Sequence, residues 1–167
     1  MVMFLHIFQI ILILVLILAL PVLLGLLHGY TTITSYFGPR KSPTTGKQSY
    51  HYGLDIGVPT GSNIVAIFSG QVTYTGFNGA NGFTVTITNG NLSASYSHVS
   101  PTFLVYKGQY VNHGEIIAIV GPKNVYGVPN NPYKDSNGNP TNGSTTGPHL
   151  HLCIKKDGKA VNPLNYY

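Results

Sequence analysis

Gly, Asn and Pro break up the chain beyond residue 31 so often that only short strands fit between them. The segment Thr84-Val85-Thr86-Ile87-Thr88 alternates polar and apolar residues as a half-buried strand does, and Asn89-Gly90 follows it as a hairpin signal. Further candidate strands lie at 32–37, 64–68, 71–75, 83–88, 93–98, 116–120 and 149–155. Charged residues make up only 8% of the chain against 20 Gly, 12 Tyr and 11 Pro, a balance that favours short strands and turns over exposed amphipathic helices. The expected class is therefore mainly β, an antiparallel sheet with long loops. The longest loop covers 122–146, rich in Asn, Pro, Gly and Ser and without periodicity. Loops of that length are functional rims, lids or unstructured insertions, and the sequence leaves the choice open.

Residues 7–27, IFQIILILVLILALPVLLGLL, are almost continuously apolar, with Gln9 the only strongly polar member. That length spans a bilayer, so residues 1–30 read as a hydrophobic anchor with one N-terminal transmembrane helix, and 31–167 as the folded domain. A cleaved signal segment is the competing reading. Against it, residues 1–6 hold no Lys or Arg, and no small-x-small cleavage pattern follows the apolar run. Arg40, Lys41 and Lys47 lie on the C-terminal side, where the positive-inside rule favours the cytoplasm, so charge bias does not fix the orientation.

The net charge of +5 reflects scarce acids: four Asp and Glu against nine dispersed Lys and Arg. Dispersed bases give no nucleic-acid footprint, but they favour a weak, screened approach to a polyanionic surface such as a bacterial wall. Cys153 is the only cysteine, so the chain has no intramolecular disulfide, and we read it as a small core thiol.

With so few acids, a carboxylate among histidines stands out. Asp55 falls in His51-Tyr52-Gly53-Leu54-Asp55, and further histidines fall in Tyr96-Ser97-His98 and Gly147-Pro148-His149-Leu150-His151. Strand residues two and four apart share a face, so His149 and His151 project together; His51 and Asp55 do the same if that segment is extended, with Gly53 leaving room between them. Imidazole nitrogens and a carboxylate oxygen are zinc ligands. Three of them make a catalytic site with an open position, and spare histidines can move protons.

A lone H-x-H is a weak signal, and H-x-G-x-D is only suggestive. Together with SYFGPR at 35–40, HYGLDIGVPTG at 51–61, YSHVS at 96–100 and TGPHLHL at 146–152, they make the chain resemble the lysostaphin and LytM family of zinc endopeptidases, which cleave peptide bonds in bacterial peptidoglycan. The resemblance covers 31–167 and implies an antiparallel β peptidase core. It places zinc (Zn2+) on His51, Asp55 and His151, and makes His98 and His149 the catalytic pair. The implied function is a membrane-anchored zinc metalloendopeptidase whose domain faces the cell wall, with peptidoglycan stem peptides or cross-links as partner. It would be secreted or virion-associated if the segment is cleaved or the gene viral. A catalytically silent wall-binding or regulatory module, or a wall-opening virion or conjugation component, are the alternatives.

The chain departs from the family pattern at Cys153, where HLHLC replaces the family's HLHFE, and in its longer loop before H-x-H. His6 and His28 flank the apolar run and His113 lies in a turn-rich block, so none of these joins the site. Arg40 either contacts substrate or holds the sheet edge, and Tyr50, Tyr52, Tyr126 and Tyr133 are candidates to line a groove.

Overall fold

A computed structural model describes residues 32–166. The apolar run at 7–27, with its flanking His6 and His28, lies outside them. Among the described residues no helix is long and apolar enough to cross a membrane. Twelve short strands follow one another: β1 (Ile33–Ser35), β2 (Gly38–Lys41), β3 (Gln48–His51), β4 (Leu54–Ile56), β5 (Asn63–Val65), β6 (Gly70–Phe77), β7 (Phe83–Asn89), β8 (Leu92–Ser97), β9 (Tyr110–Val111), β10 (Ile116–Ile119), β11 (Leu150–Lys156) and β12 (Lys159–Val161). All pairings between them are antiparallel.

The main sheet runs β1-β4-β11-β8-β7-β6-β9, with β12 also on β11; β5 pairs with β10, and β2 with β3, in two separate ribbons. Its two faces differ completely. One register row carries Leu54, Leu152, Tyr96 and Val85 across β4, β11, β8 and β7, and all four are fully buried. Ile56 with Leu150, and Ile154 with Ala94 and Ile87, extend the same apolar layer, and Ile64, Ile117, Ala118 and Val120 from the β5–β10 region join it in one core. The opposite face carries the intervening residues. There a single row, Ser35, Asp55, His151, Ser97 and Thr84, crosses five neighbouring strands. The period-2 pleat thus sorts one sequence into a hydrophobic floor and a polar working surface.

Hairpin chemistry sets these registers. The β7–β8 turn closes between paired Asn89 and Leu92, with Gly90 at φ 58°. The expected Asn-Gly turn is thus centred one residue later, on Gly90-Asn91. At the β11–β12 turn, Asp157 and Gly158 both take positive φ, the two-residue geometry that matches the twist of its strands.

Loop 122–146 is built rather than loose. Bridges join Asn124 to Thr141 and Lys134 to Pro140. Asp135 Oδ1 accepts the main-chain N–H groups of Asn137 (3.0 Å) and Asn139 (2.9 Å), while Oδ2 accepts from Asn124 Nδ2 at 3.1 Å. These bonds, the Asn124 contact first, hold the Asp135 carboxyl down at about 2.

Candidate metal centre

Three segments deliver the five histidine and aspartate positions to the polar face. Asp55 is the middle residue of β4, held between β1 and β11. His51 is not on the same strand: it ends β3 of the separate β2–β3 ribbon, and the chain bends at Tyr52–Gly53 before β4 begins. The condition of one extended segment from His51 to Asp55 is therefore not met. Convergence comes from a bend, and Gly53 makes it possible. A Cβ on Gly53 would lie 2.5 Å from His151 Cε1 and 2.7 Å from both His151 Nε2 and the Leu152 carbonyl oxygen. Gly53→Ala is therefore expected to push the His151 ring aside and weaken zinc affinity by about 10–100-fold, the range seen when a ligand's support is lost. Competition with a chromogenic chelator measures this, and unchanged affinity would mean that the ring has another seat.

His51 Nε2, Asp55 Oδ1 and His151 Nδ1 form a triangle with sides of 3.0 Å (His51–His151), 3.2 Å (His51–Asp55) and 2.8 Å (His151–Asp55). Ligands bonded tetrahedrally to zinc at about 2.0–2.1 Å sit about 3.3 Å apart, so the triangle fits one face of such a tetrahedron. His51 Nδ1 donates to the Tyr36 carbonyl at 2.9 Å, so in the neutral ring Nε2 presents a lone pair to the carboxylate. Facing lone pairs need positive charge between them, from protons or from a cation. Burial would raise the Asp55 carboxyl. The adjoining His151 and His51 rings, where they carry a proton toward the carboxylate, and the nearby imidazole charge outweigh it, holding Asp55 far below the usual carboxylate range. Its second oxygen, Oδ2, accepts from Arg40 Nη1 at 2.9 Å, and the same nitrogen bonds Ser35 Oγ. Arg40 thereby turns Oδ1 toward the histidines.

His98 and His149 flank this triangle, their ring centroids 4.6 Å apart. His98 Nδ1 donates to the Asn142 carbonyl at 2.7 Å, and His149 Nδ1 to the Gly147 carbonyl at 2.9 Å. A carbonyl can only accept, so both Nδ1 atoms carry the proton and both Nε2 atoms are bare in the neutral rings. His149 Nε2 lies 3.7 Å from Asp55 Oδ1. Desolvation pushes His98 down to about 3, helped by the charge of His149, and desolvation lowers His149 as well.

These shifts make a stability prediction for the zinc-free protein. Between pH 6.5 and about 3 the unfolded chain protonates His98 while the buried ring stays neutral, so stability is full above 6.5 and falls as pH drops through that window. The slope approaches about 1.4 kcal/mol per pH unit for one proton. His149 adds in the same direction. Urea unfolding in chelator at pH 7.5, 6.0 and 4.5 tests this: His98→Gln should flatten the dependence, and a wild-type curve already flat would contradict it.

A cleft of about 700 Å³ opens over the centre, lined by the five residues together with Arg40, Lys41, Tyr50, Tyr52 and residues 144–148. Tyr50 and Tyr52, expected as groove candidates, do line it, with ring centroids 4.9 Å apart and 46% and 61% exposed. Tyr126 and Tyr133 do not line it. His113 is exposed outside the cleft, its main-chain N–H on Ser69 Oγ. Cys153 sits on the site face of β11, one row beyond His151 and opposite Ser95. Arg40, expected either to contact substrate or to hold the sheet edge, lines the cleft and also bonds Asp55 Oδ2, a contact that neither role named. One signal was available: Arg40 is the only arginine in the chain.

Residues 49–163 match Peptidase family M23. DD-carboxypeptidase/endopeptidase Mpg of Neisseria gonorrhoeae is 32% identical over 137 residues, 81% of this chain and 27% of that protein. Peptidoglycan DD-endopeptidase ShyA of Vibrio cholerae is 31% identical over 134 residues, 79% of this chain and 26% of that protein. The chain thus spans about a quarter of the length of these curated relatives. A zinc-containing peptidase from Vibrio cholerae superposes with a TM-score of 0.63 at 29% identity, covering 81% of this chain and 36% of that one. The catalytic domain of lysostaphin from Staphylococcus simulans shares the fold, with a TM-score of 0.62 at 23% identity over 81% of this chain and 90% of that domain. Since that family match covers well over half of the chain and relatives above 30% identity align with about 80% of it, the chain belongs to Peptidase family M23.

Proposed function

We propose that the protein is a zinc metalloendopeptidase that hydrolyses peptide bonds in bacterial peptidoglycan, with His51, Asp55 and His151 as metal ligands and His98 and His149 as catalytic residues. The observation that carries this reading is the convergence of three donor atoms and two bare imidazole nitrogens on one open cleft. Zinc, when held there, supplies a Lewis acid that eases deprotonation of water and steadies negative charge on a carbonyl oxygen. The chain's own groups do the rest. One of the two histidines takes the proton from the attacking water through Nε2. The other, once protonated, donates toward the developing oxyanion or the leaving amine. Arg40, bonded to Oδ2, keeps Asp55 Oδ1 aimed at the histidines. Every ligand position is filled, which disfavours a silent wall-binding module.

The relatives named as DD-endopeptidases support a D,D cross-link as the bond cleaved. Defined cross-linked muropeptide dimers, glycyl-bridged dimers and monomeric pentapeptides test this when incubated with zinc-loaded full-length chain and separated by mass. Conversion of D,D-linked dimers to monomers is expected. Cleavage confined to glycyl bridges would move the bond, and inertness toward all three would favour a binding module.

In this reading residues 1–30 anchor the chain through 7–27, and 31–167 form the peptidase domain on the wall side of the membrane. Alkaline carbonate extraction should leave the chain in the membrane pellet, and release to the supernatant would contradict the anchor.

A further inference from the structure

Loop 122–146 lines the cleft with residues 144–146 and meets the His98 ring at Asn142. Asn142 is fully buried, and its main-chain carbonyl, 2.7 Å from Nδ1, is what holds the His98 ring. Its side chain is fully engaged as well. Oδ1 accepts the Phe83 main-chain N–H at 2.8 Å, and Nδ2 donates to the Val99 carbonyl at 2.9 Å. Its own N–H donates to the Lys123 carbonyl at 2.8 Å. One residue therefore ties the loop to the start of β7, to the residue after His98 and to the catalytic ring itself. The seat is tight on both sides: a Cβ on Gly82 would collide with the Asn142 backbone and amide oxygen, and one on Gly121 would come within 2.7 Å of Asn142 Nδ2.

The backbone of His98 is held with equal care. It takes φ 60°, a left-handed conformation that costs a non-glycine residue of order 1 kcal/mol and persists only where its surroundings enforce it. Its N–H donates to the Asn81 carbonyl at 2.9 Å, and its carbonyl accepts from the Gly121 N–H at 2.9 Å. Those bonds set the backbone, but they leave the ring free to rotate about its side-chain torsions and to exchange its proton between nitrogens. Among the described residues, the Asn142 carbonyl is the one group that hydrogen-bonds the ring.

We propose that Asn142 is the positioning residue of His98: its amide side chain bolts the loop between Phe83 and Val99 so that its carbonyl fixes the His98 ring as the Nδ1–H tautomer, keeping Nε2 bare and aimed into the cleft. This rests on the reading of His98 as a catalytic residue. It assigns the long loop a function as well. The loop is a strut for the proton-transfer group, and its Asp135 and Asn124 contacts stiffen it at a distance from the centre.

The test reads the tautomer directly. Long-range proton–nitrogen correlation spectra of the imidazoles in zinc-loaded full-length protein should show His98 with a protonated Nδ1 and a bare Nε2. A protonated Nε2 with bare Nδ1 in the wild type would overturn the proposal without any variant. Asn142→Ala should retain about one zinc per chain, leave KM within about twofold and lower kcat about 10–100-fold, with the His98 resonances moving toward a mixture of tautomers. Thr141→Val is the control. It is buried beside Asn142 and loses the Thr141 Oγ1 bond to the Gly143 carbonyl, but does not touch His98. An equal kcat loss in Thr141→Val, or wild-type resonances and kcat in Asn142→Ala, would reduce Asn142 to an ordinary loop anchor and refute the assignment. Because the tautomer is read without substrate, an absence of hydrolysis would count against the proposed function and not against this inference.

Discussion

Asp55→Ala is expected to abolish zinc binding and hydrolysis together. Asp55 Oδ1 lies 3.2 Å from His51 Nε2 and 2.8 Å from His151 Nδ1, and it is the only negative charge among three imidazoles and Arg40. Removing it leaves Arg40 without its 2.9 Å partner and places a divalent cation in a field of positive charge. Bound zinc should fall from about one per chain to background, with turnover at or below the detection limit. His151→Ala should behave alike. Dialysed protein analysed for metal by mass spectrometry, alongside peptidoglycan turnover, checks both. Retained zinc in Asp55→Ala would mean that the ligand triangle is misassigned.

The second large effect separates chemistry from metal binding. His98→Ala and His149→Ala should each keep zinc while losing about 10²–10⁴-fold in kcat, the usual worth of a positioned proton-transfer group. Their Nδ1 atoms are spent on the carbonyls of Asn142 and Gly147, and neither ring contributes to the donor triangle. His149 approaches Asp55 Oδ1 only to 3.7 Å, outside that triangle. Parallel metal counts and single-turnover rates on the four variants decide the division of roles. Equal metal loss in all four would erase it.

The fold class and the five polar positions were legible because each leaves a side-chain signature. Alternation at 84–88 marks a strand with one face buried, and H-x-H places two imidazoles on one side of another. The β2–β3 ribbon was not legible. GPRK and QSYH lie largely exposed, so burial imposes no alternation on them. The same ribbon explains why the sequence could pose an extended His51–Asp55 segment only as a condition: a bend at Tyr52–Gly53 depends on how the ribbon folds over the sheet, a contact distant in sequence. Short β9 and β12 carry two and three residues, too few for periodicity.

Partners of the reactive side chains were hidden for another reason. His51, His98 and His149 are oriented by the carbonyls of Tyr36, Asn142 and Gly147, and a main-chain carbonyl has no residue identity to read. Loop 122–146 stayed open between rim, lid and unstructured insertion because its order comes from Asn and Asp side chains bonded to backbone, a pattern with no period. Arg40 was the exception. Its place in SYFGPR marked it, but only its distance to Asp55 tied it to the site.

The most direct test of the central claim, that His51, Asp55 and His151 hold the zinc on which hydrolysis depends, is a zinc titration of activity. Full-length protein in detergent is stripped with chelator, reloaded in steps and incubated with purified peptidoglycan, while new amino termini are followed by mass spectrometry. The account predicts no release from stripped protein and a linear return that saturates at about one zinc per chain. Cleavage that survives complete removal of metal, or a fully loaded protein that releases no amino termini from any wall type, would contradict it.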